Sequence, residues 1–72
     1  MELIDKNTQL EQVNFIMDQL SKKSSSLTQI NPDLEVLLIK FRYLKLMMHK
    51  MEVRSIENFI QSKSKEIQEL LI

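Results

Sequence analysis

The chain has 72 residues with ten basic and ten acidic side chains, no cysteine, no glycine and one proline. Without cysteine it can form no disulfide framework, thiolate zinc site or cysteine nucleophile, and without glycine it has no phosphate-cradling loop or dinucleotide-binding fingerprint. A net charge of zero argues against bulk nucleic-acid binding. A chain of this length buries only about 60% of its unfolded surface, so we expect one small domain, 1–72, stabilised by a partner.

Neither the N-terminus nor the most apolar stretch has the pattern of a segment that enters a membrane. Residues 1–5 are acidic and interrupted, unlike the basic start and apolar core of a cleaved signal. A spanning helix needs roughly 20 nearly uncharged residues. We therefore expect no membrane insertion, and a cytoplasmic location or export without a cleaved signal. The apolar stretch 36–51 carries five basic side chains: Lys40, Arg42, Lys45, His49 and Lys50.

The first helix is predicted over about 8–24. Thr8 and Glu11 have the spacing of a capping box, in which each side chain satisfies a free backbone N–H. A connector is predicted over about 25–31, because consecutive serines weaken a helix without forbidding it. The apolar seam of the first helix follows spacings of three and four, through Leu10, Val13, Met17 and Leu20.

Asn31, Pro32 and Asp33 give the sharpest local signal. Asparagine is a preferred N-cap, proline is favoured at the first helical position, and an acidic side chain in the first turn suits the helix dipole. No proline or glycine follows, so a second helix is predicted over about 32–61, some 45 Å long at ~1.5 Å per residue. Ser62–Ser64 is a possible break, with a short C-terminal helical segment over about 64–71.

The second helix carries two apolar stripes. The first pairs with the seam of the first helix in an antiparallel hairpin, and it contains Leu34, Leu37, Phe41, Leu44, Met48 and Met51. The second stripe, with the part of the helix that extends past its mate, is the predicted partner-binding surface: Val36, Ile39, Tyr43, Leu46, Val53, Ile56 and Ile60. The predicted fold is thus an all-α antiparallel hairpin with a long second helix, to which a short extra helix at one terminus can be added.

Three interpretations account for the apolar surface of the second helix that the first helix does not bury. The first helix spans only about 28 Å, which leaves the second half of the long helix exposed in a monomer. Contiguous apolar patches beyond a few hundred Å² usually mark interfaces. A different protein could bind there, or a second copy could make a homo-oligomer. The chain could also cover the surface itself with terminal side chains: Ile67, Leu70, Leu71 and Ile72, or Leu3 and Ile4.

No catalytic, metal or cofactor site is predicted. His49 lies among methionines, but it is the only histidine, and methionine as adaptable core filler is the simpler interpretation. Residues 40–54 contain five cations and one acid. These cations do not share one helix face, so we expect a solvated flank, or a rim that pairs with Glu11 and Asp18 or contacts an acidic partner, and no nucleic acid.

This layout resembles the YscE-like needle co-chaperones of type III secretion systems. The matching segments are the helix 10–20, the Ser/Asn/Pro connector 24–33 and the leucine-rich helix 34–60. The resemblance implies a small protein of the bacterial cytoplasm that pairs with a larger, tetratricopeptide-like chaperone. That pair keeps the needle subunit monomeric before export. The contact with the chaperone would lie on the second stripe.

Two other functions fit the same layout. The needle subunit itself is a short hairpin with an Asn-Pro-type turn before a long C-terminal helix, although its second helix is typically more polar. A small helical regulator that sequesters a DNA-binding protein is the alternative from another class.

Overall fold

The described residues, 5–72, form helices in this computed structural model and contain no strand. They are α1 (Lys6–Ser26), α2 (Pro32–Met47) and α3 (Val53–Leu71), with a 3₁₀ turn at Met48–Lys50 between the last two. The predicted all-α class is confirmed, but three packed helices replace the expected two-helix hairpin. Leu3 and Ile4, named above as a possible cover, lie outside the described residues.

The first helix packs against both of the others. The Ser24 hydroxyl near the end of α1 donates to the Glu35 carboxylate near the start of α2, so these helices are antiparallel. Gln9 Nε2 donates to the Val53 carbonyl oxygen at 2.8 Å, which joins the starts of α1 and α3. The chain therefore runs up, down and up again, and α3 is parallel to α1.

The first helix begins earlier than predicted, because Asp5 caps it. An Asp5 carboxylate oxygen accepts from the Thr8 backbone N–H at 2.8 Å. The predicted capping box of Thr8 and Glu11 was therefore wrong, since aspartate is a preferred N-cap and begins the helix a turn upstream. The helix also runs past residue 24. Ser25 and Ser26 hydroxyls donate to carbonyls of the preceding turn, at 3.0 and 2.8 Å, which keeps these serines compatible with helix.

This cap predicts an acid-sensitive first turn. Hydrogen bonds to Asp5, above all from the Thr8 backbone N–H and then from the Thr8 side chain, hold the pKa of its carboxyl below the ordinary value of 3.8. Because the folded pKa is lowered, the cap stabilises α1 fully above that value and is lost as pH falls through the folded pKa. We expect the amide protection factors at the start of α1, which are corrected for the pH dependence of the intrinsic exchange rate, to fall there, as measured by NMR. D5N, which caps without titrating, should remove this pH dependence; an unchanged dependence in D5N would assign it to another group.

The predicted start of the second helix is confirmed. The Asn31 side-chain oxygen accepts from the backbone N–H groups of Asp33 and Leu34, at 3.0 and 3.5 Å. Pro32 occupies the first turn, where its missing N–H costs no hydrogen bond.

The predicted continuous helix over 32–61 was wrong, because the chain reverses between α2 and α3. Met51 and Glu52 are extended, with φ/ψ of −97/151° and −76/149°. No local residue requires this break. Burying one large apolar side chain contributes about 1.5–3 kcal/mol, more than the roughly 0.7 kcal/mol by which ordinary residues differ in helix propensity. Folding back lets the apolar stripe of α3 reach the core, so tertiary packing decides where α2 ends.

The Ser62–Ser64 segment lies inside α3, so neither the possible break nor a separate helix over 64–71 is found. The Ser62 hydroxyl donates to the Phe59 carbonyl oxygen at 2.7 Å, which accommodates it in the helix. The apolar side chains of α3 recur at spacings of three and four. Those packed partly buried against the core are Phe59, Ile60, Ile67, Leu70 and Leu71.

The core lies between the three helices. Of the predicted hairpin core, Leu10 is 36% exposed, and Met17 and Met51 are half-buried. Leu10 turns outward because the core-facing positions of the first turns of α1 are Gln9 and Val13. Leu38 and Ile56 are buried instead. Leu38 lies on the flank of α2 that faces α1, between Arg42 and Lys45 around the helix, and Ile56 reaches the core because α3 folds back. The buried apolar side chains are Val13, Leu20, Leu34, Leu37, Leu38, Phe41, Leu44, Met48 and Ile56.

Over residues 5–72, no helix has the length and apolar character needed to cross a membrane.

Candidate protein-binding face

The side of α2 that points away from the core carries four large apolar side chains, which we name the outer face. They follow the helical spacing of three and four, opposite the buried side chains of the same helix. Their exposed fractions rise along α2, from 48% to 70%. The outer face consists of Val36 at 48%, Ile39 at 59%, Tyr43 at 66% and Leu46 at 70%.

An apolar groove between α2 and α3 adjoins the outer face. Its volume is about 480 Å³, and Ile39 and Tyr43 belong to both surfaces. The floor is fixed by Phe59, whose ring meets Phe41 edge-on at a centroid distance of 5.6 Å. The Lys63 ammonium lies 5.9 Å from the Phe59 ring centroid. The outer face and this groove form one continuous apolar surface, lined in the groove also by Lys40, Leu44, Met47 and Met51.

Cationic side chains border this surface on both sides. Lys40 lines the groove between α2 and α3. Arg42 and Lys45 line a second cleft of about 530 Å³ on the other side, together with Met17 and Leu46. The predicted pairing of these cations with Asp18 is not found. Asp18 instead pairs with Lys22 one turn along α1, with 3.0 Å between Lys22 Nζ and Asp18 Oδ2. Arg42 and Lys45 are exposed.

The other three residues predicted to bind a partner lie on α3, away from the outer face. Ile56 is completely buried in the core, so its assignment to a partner-binding surface was wrong. Val53 and Ile60 are half-buried, and Ile60 packs against the core. The physical reason is the reversal at Met51 and Glu52, which turns these side chains inward. Only the members on α2 remain available as one surface.

Gln9 is a buried polar residue that sequence reasoning did not single out. Its side chain is 1% exposed and links α1 to the start of α3 through the Val53 carbonyl, while its Oε1 atom has no hydrogen-bond partner. The signal available was its position one turn before Val13 in the apolar seam. A glutamine at a seam position usually indicates a polar contact within the core.

A third cleft carries several charged side chains. Asp33, Glu66 and Glu69 share it with Lys40, between the start of α2 and the end of α3, in a volume of about 340 Å³. Within residues 5–72 no three histidine, cysteine or carboxylate side chains are grouped as metal ligands. His49 is exposed in the 3₁₀ turn, where its carbonyl oxygen accepts from Lys6 Nζ at 3.3 Å.

No protein-family model, curated protein or solved structure matches this chain.

Proposed function

We propose that this protein is a non-enzymatic helical binding module whose outer face docks onto a partner protein. The observation that carries the proposal is that this face stays exposed after the three helices have filled their common core. Single exposed apolar side chains are ordinary on protein surfaces. Four at consecutive helical positions, joined to an apolar groove, are characteristic of an interface.

A helix presented in this way fits a groove lined by other helices. An amphipathic helix binds such a groove through side chains at i, i+3, i+7 and i+10, the spacing of Val36, Ile39, Tyr43 and Leu46. Tyrosine is enriched among the residues that dominate interface energetics. The cations Arg42 and Lys45 beside the face favour a partner with acidic side chains around its groove.

We identify that partner, on the resemblance to the YscE-like family, as the tetratricopeptide-like chaperone of a type III secretion system. In this proposal the chain works in the bacterial cytoplasm and helps to keep the needle subunit monomeric before export. The chaperone's helical repeats would supply the groove. The alternative, that this chain is the needle subunit, has less support. A needle subunit is expected to have two helices with a long uninterrupted second one, whereas α2 and α3 are separate here.

The proposal is tested by the double substitution I39E/L46E. It places two charges in the apolar centre of the outer face, and we expect the affinity for the purified chaperone to fall roughly 10²–10⁴-fold, since each apolar side chain contributes about 1.5–3 kcal/mol when buried. The chaperone to use is the one encoded with the needle subunit in the bacterium that supplies this chain. Isothermal titration calorimetry gives the affinity, and circular dichroism shows that the helices persist.

Phe15 offers a matched control. It is 65% exposed, close to Ile39 and Leu46 in exposure, but it lies on the outer side of α1. The F15E variant should bind the chaperone as the original chain does. Equal loss in F15E and I39E/L46E would move the contact away from the outer face, and an original chain that does not bind the chaperone would overturn the proposed partner.

A further inference from the structure

The junction between α2 and α3 is built from residues that favour a continuous helix. Met48–Lys50 already forms a 3₁₀ turn, and only Met51 and Glu52 leave the helical region, with ψ near 150°. The chain has no glycine, and its one proline precedes this point, at Pro32. Among the described residues no φ is positive, so α2 has no left-handed C-cap. Two backbone rotations separate the bent chain from a straight one.

The start of α3 is also the least stabilised helix start in the described chain. Asp5 and Asn31 each cap their helix with a side-chain hydrogen bond, whereas Glu52 makes none. Arg54 lies in the first turn, where a positive charge opposes the helix dipole. The N–H groups left free there would be satisfied if α2 continued into α3.

A continuous helix would present the core side chains of α2 and α3 on one face. Ile56 follows Leu38 by 18 residues, and Phe59 follows Phe41 by the same number. Eighteen residues make five full turns at about 3.6 residues per turn. In a straight helix the core-facing side chains of α2 and those of α3 would therefore lie on the same face. Straightening would also leave empty the site against α1 and α2 that α3 fills in the bent chain.

We propose that the chain forms a domain-swapped dimer, in which α2 and α3 become one helix over 32–71 and each α3 fills that site in the second copy. The two long helices then run antiparallel, the direction in which α3 already packs along α2. The contacts of the bent monomer, including Phe41 with Phe59, are remade between copies. Because the swapped dimer keeps the contacts of the monomer, the only added free-energy cost of forming it is that of association. Short hinge segments favour such a swap.

Substitutions at Val53, the first residue of α3, separate the two states. Proline there suits the bent chain, because the first helical position needs no N–H and Glu52 already has the extended backbone that precedes a proline. It keeps the carbonyl that accepts from Gln9. In the continuous helix it falls in the interior, and two prolines per dimer should lower the dimerisation constant roughly 10⁴-fold. V53A removes the same side chain and should raise that constant several-fold.

The experiment refolds the full chain, V53A and V53P from denaturant at high protein concentration and measures mass by size-exclusion chromatography with light scattering. We expect dimer from the original chain, more from V53A and monomer alone from V53P. Isotope-filtered NOEs on a mixture of labelled and unlabelled chains then locate the contact of Phe41 with Phe59. NOEs between copies support the swap. A dimer whose NOEs stay within one chain, equal dimerisation of V53P, or monomer from both the original chain and V53A would overturn it.

Discussion

Replacing Phe41 with alanine should destabilise the fold by about 3–5 kcal/mol, the usual cost of removing a fully buried phenylalanine. Phe41 is completely buried at the middle of α2, and its ring meets Phe59 of α3. A domain of this length is stable by only about 4–11 kcal/mol, so the loss is a large share of the total. Urea denaturation followed by circular dichroism measures it.

Tyr43 provides the control for this prediction. It lies on the same helix two residues along, but is 66% exposed on the outer face. The Y43A variant should change the free energy of unfolding by no more than about 0.5 kcal/mol. Comparable losses in the two variants would mean that Phe41 does not belong to the core between the three helices.

Replacing Ile56 with alanine should cost about 2–5 kcal/mol, the range for a buried isoleucine truncated to alanine. This substitution tests whether α3 packs on α1 and α2. Were α2 to continue as one helix in the monomer, Ile56 would be exposed and its loss nearly neutral. The structure has it fully buried in the common core.

Ile39 is the matched site for this second prediction, being an isoleucine 59% exposed on the outer face. The I39A variant should leave the denaturation midpoint almost unchanged. If I56A proved as mild as I39A, α3 would not be packed on α1 and α2 in solution.

Local chemistry predicted some features of this fold well. The start of α2 follows from Asn31 and Pro32, because capping and fixed φ act within a few residues. The apolar spacing of α2 separated buried Phe41 from exposed Tyr43, since helix periodicity alone sets which side each residue occupies.

The end of α2 could not be predicted in the same way. Met51 and Glu52 are good helix formers, and the gain that breaks the helix comes from contacts made by Ile56 and the rest of α3 with distant residues. The same reversal places the residues predicted to bind a partner on two different sides of the molecule. Those on α2, such as Leu46, stayed exposed, whereas Ile56 was taken into the core. That the outer face binds a partner stays a prediction.

The order of the helices, with α3 made after α2, has a consequence during synthesis. At about 5–20 residues per second, the ribosome needs roughly 1–4 s to add the 19 residues of α3 after α2 is complete. Phe41 and its neighbours lack the helix that covers them until α3 has been made, has left the ribosome and has docked. Newly released chains expose this unfilled site, so the interval just after synthesis is when we expect this protein to depend most on protection from aggregation.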